Sequence, residues 1–368
     1  MRKPLLALVA ACLTWLAVAA DELKLKNDFP EVYVVQKGDT LWDISAKYLQ
    51  NPWLWPKLWQ SNTEVDNPHL IYPGDKLSLV IVDGVPQLVR KPMVKLSPTA
   101  RVVDKGDAIP TLPVNHVREF LTHQKILDDD MLKLAPVVLG NIERTTRMDT
   151  SNNIYARGDD LKVGKLYGVY RQGNRYVDPN TGEFLGSEAI LVAVAKAHEV
   201  EAITLGDAED ARHTGLATLE ITQVEREVAQ GDRLLPLDNS DSLPVYFTLK
   251  APGALVDAVI IDSSRKTRAL GKYDVVVLSK GARDGMEVGH VLDARRVGAK
   301  VLIKDDVEYE ESASRFDRWF SSDEQVVRQP TESIGQMMVF RTFDKLSLAL
   351  IMKAEKPIRE GDQATNPQ

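Results

Sequence analysis

The chain has 368 residues, 44% apolar and 27% charged, which is enough hydrophobic material for two or three folded cores and excludes a disordered chain. Its formal net charge is −7, from 46 basic and 53 acidic residues, and no basic stripe is interleaved with aromatics, so nucleic acid is not an expected partner. The single cysteine, Cys12, leaves no pair for a disulfide and no thiolate cluster for a metal.

At the N-terminus, Arg2 and Lys3 precede an uncharged apolar run that ends in small residues before Asp21. This is the pattern of a secretory signal peptide over residues 1–20, with cleavage after Ala19 or Ala20. A second reading stays open, because Val9-Ala10-Ala11-Cys12 has the form of a lipobox in which Cys12 would be acylated. Leu13, Trp15, Leu16 and Val18 continue the apolar region past Cys12, as an uncut leader does. The run is shorter than the ~20 apolar residues of a membrane-spanning helix, so no transmembrane segment is expected in the mature chain. Export would place the protein in the periplasm with 44 basic against 53 acidic residues, a net charge of about −9. It would also leave no thiol nucleophile.

Residues 32–35 form a short β-branched and aromatic run ended by Lys37-Gly38-Asp39, a strand and a turn. Asp39 or Thr40 can cap a helix in which Leu41, Ile44, Ser45 and Tyr48 recur at helical spacing, until Pro52 closes it. Pro56 sits near the start of a second helix with Trp55, Leu58, Trp59 and Asn62, and Asn67-Pro68 breaks it. Tyr72-Pro73-Gly74-Asp75 then turns into a last strand over residues 76–80.

The stretch Tyr33-Val34-Val35-Gln36-Lys37-Gly38-Asp39-Thr40-Leu41-Trp42-Asp43-Ile44-Ser45, with Asn67-Pro68-His69-Leu70-Ile71-Tyr72-Pro73-Gly74-Asp75-Lys76-Leu77, resembles a LysM domain across the whole module, residues 31–80. The resemblance implies a βααβ fold and a ligand of N-acetylglucosamine-containing glycan, peptidoglycan for an exported bacterial chain. It also implies a shallow groove between two loops, lined by Gly38, Asp39, Thr40, Leu41 and Trp42 on one side and Leu70, Ile71, Tyr72 and Pro73 on the other. Leu41, Ile44, Leu70 and Ile71 also read as core. Trp53, Trp55 and Trp59 read as packing for a small domain rather than as a sugar-stacking platform.

Beyond the module, Pro86, Pro92 and Pro98 mark an extended linker over residues 81–111. A short helical region is expected within residues 112–140, including Ile126 and Leu127, with Asp128-Asp129-Asp130 as a helix start. From Pro136 onward, β-branched runs alternate with Gly, Asn and Asp turns, so the rest reads as β-rich. Residues 178–183 are too few for a twelve-residue calcium loop and read as a hairpin turn. An internal echo suggests duplication: Gly164 and Gly289 lie in similar phrases, as do Gly231-Asp232 and Gly361-Asp362. Two β-rich units follow from this, residues 112–240 and 241–368. Between the echoes, residues 304–329 are highly charged, carry Trp319 and Phe320, and read as a surface loop that could reach a partner. The fold class expected is therefore α+β, a small βααβ module followed by a β-rich, duplicated region.

His69, His116, His123, His198, His213 and His290 are dispersed, without the short spacings of a zinc site, and no Gly-x-Ser-x-Gly elbow or phosphate-cradling loop occurs. No metal, cofactor or catalytic residue is assigned, although a carboxylate pair of a peptidoglycan hydrolase has no local signature that would reveal it. The order of parts resembles the TsaP-type secretin-associated proteins of type IV pilus systems, on phrases such as Ala135-Pro136-Val137-Val138, Ile154-Tyr155-Ala156-Arg157-Gly158 and Val169-Tyr170-Arg171. That resemblance implies a non-catalytic anchor, with the module on peptidoglycan and the β-rich part meeting an outer-membrane secretin or another envelope complex. An adaptor for cell-wall remodelling enzymes is the alternative.

Overall fold

The computed structural model describes residues 23–59, 71–82, 84–91, 124–127, 129–205, 212–237, 247–263, 267–303, 307–309 and 326–367. The expected signal peptide, Leu70, the connector beyond residue 91, and Trp319 with Phe320 lie outside these residues. The chain divides into two compact units, residues 1–110 and 111–368.

The first unit runs β1 (Val32–Val34), α1 (Leu41–Tyr48), a 3-10 turn (Pro52–Leu54), α2 (Trp55–Trp59), β2 (Lys76–Val82) and β3 (Val85–Lys91). Strand β1 lies antiparallel to β2 with Tyr33 opposite Leu77, and β3 pairs with β2 from Lys91 opposite Lys76 to Val85 opposite Val82. Helix α1 buries Leu41, Trp42, Ile44, Ser45 and Tyr48, the face that its 3.6-residue period predicts. Trp53, Trp55 and Trp59 are all buried beside it, supplying large apolar surfaces to a domain too small to gather many core residues. Two expectations are corrected here. The module is only partly βααβ, because a 3-10 turn precedes α2 and a third strand joins the sheet. That strand, β3, occupies the beginning of the expected linker; it tolerates Pro86 because it lies at the sheet edge, where a missing N–H need not break a ladder.

In the second unit, β4 (Gln124–Leu127) and α3 (Asp129–Leu134) precede β5 (Val137–Gly140), β6 (Asn153–Gly158), β7 (Leu166–Val177), β8 (Phe184–Leu205), β9 (Arg212–Val224) and β10 (Arg233–Pro236). The sheet order is β4-β8-β7-β10-β5-β6-β9, and the additional pairing of β8 with β9 closes a ring of six strands with β4 appended to β8. Its interior is filled by Ile154, Ala156, Val169, Ala193, Ala195, Ala217, Leu219 and Leu234, among others. Ile126 and Leu127, expected in a helix, form strand instead, because β4 pairs antiparallel with the edge of β8. Helix α3 begins at Asp129, within the acidic run. Residues 178–183 make the β7–β8 turn, where the Asp178 carboxylate accepts the N–H groups of Asn180 (2.8 Å) and Thr181 (3.2 Å).

A second closed barrel follows, from β11 (Asp257–Ser263), β12 (Val275–Leu278), β13 (Val291–Arg296), β17 (Glu332–Thr342), β18 (Ser347–Ala354) and β19 (Gln363–Thr365), in the order β11-β12-β18-β17-β13-β19. Read as first to sixth strand, this matches β5-β6-β9-β8-β7-β10, so both barrels have one connectivity. Between β13 and β17 a small sheet is inserted, β14 (Lys300–Ile303) flanked by β15 (Val307–Tyr309) and β16 (Val326–Arg328). The expected charged loop over residues 304–329 is thus partly strand. The α+β expectation is corrected in the same sense: among the described residues strand accounts for 52% and helix for 9%, because two barrels outweigh one small helical module.

The β7–β8 hairpin of the first barrel meets the second. Arg283 donates two 2.6 Å hydrogen bonds to the Glu183 carboxylate, Asn174 Nδ2 donates to Asp262 Oδ2 (2.7 Å), and Lys345 Nζ donates to the Phe184 carbonyl (3.3 Å).

Candidate functional site

The loops expected to form the groove are built from two turns of the same kind. In the first, Asp39 N–H donates to the Gln36 carbonyl (3.2 Å) while the Asp39 carboxylate accepts from Gln36 N–H (2.8 Å) and from the Tyr33 hydroxyl (2.8 Å). Gly38 sits at φ +97°, a conformation in which an L side chain is strained. In the second, Asp75 N–H donates to the Tyr72 carbonyl (3.0 Å), the Asp75 carboxylate accepts from Tyr72 N–H (3.1 Å), and Gly74 sits at φ +94°. Val35 joins them: its N–H donates to the Asp75 carbonyl (2.9 Å) and its carbonyl accepts from Gly74 N–H (2.8 Å).

The first turn feeds directly into α1. Thr40 is the N-cap, its Oγ1 accepting from Asp43 N–H (3.1 Å) and donating to Asp43 Oδ2 (2.7 Å). The cap satisfies an amide that the helix leaves free, and Asp43 places negative charge in the first turn, where the helix dipole favours it. Burial first, and then the hydrogen bond to Asp39, push the Tyr33 phenol up to about 12, so Tyr33 remains a protonated donor to that carboxylate. The two loops are therefore fixed in shape by bonds within the module.

The named residues separate into two sets. Thr40, Leu41, Trp42 and Ile71 are buried, while Gly38 is exposed and Asp39, Tyr72 and Pro73 are half-buried. Of the two loops expected to form the groove, Gln36, Lys37, Gly38 and Gly74 are exposed, and Asp39, Tyr72, Pro73 and Asp75 are half-buried. A Cβ added at Gly38 or Gly74 would meet nothing within 4 Å, so both glycines are required by backbone conformation and not by crowding. Val35 and Asp75, which bind the two loops together, escape a sequence reading of the groove. The repetition of Gly-Asp at 38–39 and 74–75 is the signal that could have found them. Among the described residues, no group of three or more His, Cys, Asp or Glu side chains is placed to hold a metal, and no helix is long and apolar enough to cross a membrane.

Residues 33–80 match the LysM domain family. The chain is 37% identical over 60 residues to the uncharacterized protein YqbP of Bacillus subtilis (strain 168), a match covering 14% of this chain and 27% of that protein. It is 45% identical over 71 residues to SpoIVD-associated factor A of Bacillus subtilis (strain 168), 19% of this chain and 17% of the relative. It is 43% identical over 49 residues to the spore coat assembly protein ExsA of Bacillus cereus, 13% and 7% respectively. The chain spans about a quarter or less of the length of these curated relatives.

Proposed function

We propose that residues 33–80 bind the N-acetylglucosamine-containing glycan of peptidoglycan without cleaving it, and so hold the barrels of residues 111–368 at the cell wall. The observation that carries this reading is the pair of rigid loops bonded through Val35, within the segment that matches the LysM family. An acetamido sugar offers an amide donor and acceptor to loop backbone and an apolar ring face to a side chain. Gly38 and Gly74 leave loop backbone uncovered for the first, and Tyr72 and Pro73 flank it for the second. The leader pattern of residues 1–20 supports export to the periplasm. An envelope complex such as a pilus secretin is the partner proposed for the barrels, on an order of parts that resembles that of TsaP-type proteins.

The test is to incubate the chain lacking residues 1–20 with insoluble peptidoglycan, assaying sedimentation and muropeptide release together. Co-sedimentation without release is expected. Tyr72→Ala should weaken binding roughly fivefold, the loss of about 1 kcal/mol of ring contact. Soluble muropeptides would overturn the non-catalytic reading, and undiminished binding of Tyr72→Ala would remove Tyr72 from the contact.

A further inference from the structure

The shared connectivity of the two barrels extends to a cleft at the same end of each. In the first barrel, the segment entering β6 is bridged to the loop before β10 through Met148 and Val228; in the second, the segment entering β12 is bridged to the loop before β19 through Leu270 and Ile358. Beside each bridge lies an open cleft. The first, of about 480 Å³, is lined by Thr146, Arg147, Arg171, Arg226, Glu227 and Ala229. The second, of about 500 Å³, is lined by Thr267, Arg268, Ala269, Arg359 and Glu360.

The charge of the clefts runs against that of the chain, which is net negative. Among the described residues, three arginines face one glutamate in the first cleft, and two face one glutamate in the second. Arg171 is neutralised by Asp232, and Arg147 lies 2.7 Å from Glu227, both exposed. Arg226, Arg268 and Arg359 are exposed and make no ion pair among the described residues. Counting from the bridges, Arg268 occupies the position of Thr146, Ala269 that of Arg147, and Arg359 that of Ala229. Apart from Arg171, whose counterpart Arg296 makes the same clamp on Asp362, the two copies thus place their arginines at different positions of the same cleft, and both retain excess positive charge among the described residues. Divergence that changes the residue and keeps the charge is what a recognised anion would impose. A guanidinium fork matches a planar carboxylate in two hydrogen bonds, which a lysine cannot do.

We infer that each barrel carries an anion-binding cleft for peptide carboxylates, giving the chain two sites for an acidic peptide. The reading is independent of the groove in residues 33–80. The carboxylates could come from the short peptides of the cell wall or from an acidic segment of a protein partner, and the experiment separates these sources.

Isothermal titration of the chain lacking residues 1–20 with hexaglutamate should reveal two sites, weakened at least tenfold between 50 and 300 mM salt, with hexaglutamine as the neutral control. Arg226→Ala should remove the first site and Arg268→Ala with Arg359→Ala the second. Hydrogen exchange on the unmutated chain should show hexaglutamate protecting residues 225–229 and 355–360, a readout that needs no variant. No binding, hexaglutamine binding equally, or protection elsewhere would overturn the inference, as would inorganic phosphate displacing hexaglutamate at equal concentration. Sedimentation with peptidoglycan before and after amidase removal of its peptides, using a Tyr72→Ala background, identifies the wall as the source if the arginine variants lose binding only to the untreated wall. If they lose none there but still lose hexaglutamate, the source is an acidic protein segment.

Discussion

Thr40 ties the local chemistry of one hydroxyl to the shape of a whole loop. It is buried, closes α1 and bonds twice to Asp43, so it holds the loop to the helix. Thr40→Ala should lower module stability by about 1 kcal/mol. Trp42, Trp53, Trp55 and Trp59 are all buried in this module, so the change should be read as a shift in the denaturant midpoint of tryptophan fluorescence. His290 offers a second residue-scale expectation. Burial, and then the nearby Lys250 ammonium, hold its pKa below the ordinary 6.5, with Glu287 opposing the shift, and its Nδ1 accepts the Glu287 N–H at 3.2 Å. Folded His290 stays neutral where the unfolded ring would take up a proton. Its contribution to stability is therefore complete above about 6.5 and is lost as pH falls through that value toward the depressed folded pKa. Denaturant midpoints measured from pH 7.5 to 5.5 should fall, and His290→Gln should remove that component.

At the scale of elements, one turn recurs: an Asp accepts the N–H of the residue three before it and donates its own N–H to that residue's carbonyl. It occurs at Asp39, Asp75, Asp232 and Asp362, each preceded by a glycine at φ between +88° and +97°, and the same two bonds form at Asp274 and Asp284 without a preceding glycine. In the barrels the Asp does more. Arg171 clamps Asp232 at 2.9 and 2.8 Å and the Glu227 carbonyl at 2.9 Å; Arg296 clamps Asp362 at 3.0 and 2.7 Å and the Pro357 carbonyl at 2.7 Å. Arg296→Ala strands a carboxylate that is 6% exposed and should cost about 2 kcal/mol. Arg171 is the more exposed arginine, 41% against 29%, so water replaces it more readily and its loss should cost less. Adding Asp362→Ala to Arg296→Ala should recover part of the loss. Urea denaturation of the four members of that cycle measures the coupling.

For the whole molecule, residues 1–110 and 111–368 form two compact units, and the second holds the cores of both barrels. Calorimetry should resolve two unfolding transitions, and Thr40→Ala should move only that of the unit holding Trp42, Trp53, Trp55 and Trp59. A single transition moved by both Thr40→Ala and Arg296→Ala would show that the units unfold together.

The module was legible because its signals are local: a capping oxygen before a 3.6-residue apolar period, a β-branched run, and Gly-Asp at a left-handed turn each act within a few residues. The internal echo was legible for the same reason, since Gly231-Asp232 and Gly361-Asp362 are local devices even though the arginines they serve are distant in sequence. Strand lengths were not. Strand β8 extends over 22 residues, well beyond the β-branched run at 190–195, because Ala193, Ala195 and Ala197 fill a narrow barrel interior where β propensity is irrelevant. Strands β12 and β18 bury both faces, so their continuous apolar runs carry no alternation to reveal a register. The sequence alone determined the small module, its two loop turns and the repetition downstream. Barrel closure, the Arg-Asp clamps, the paired clefts and the burial of half the groove residues were decided by tertiary structure, because each depends on groups brought together from strands tens of residues apart.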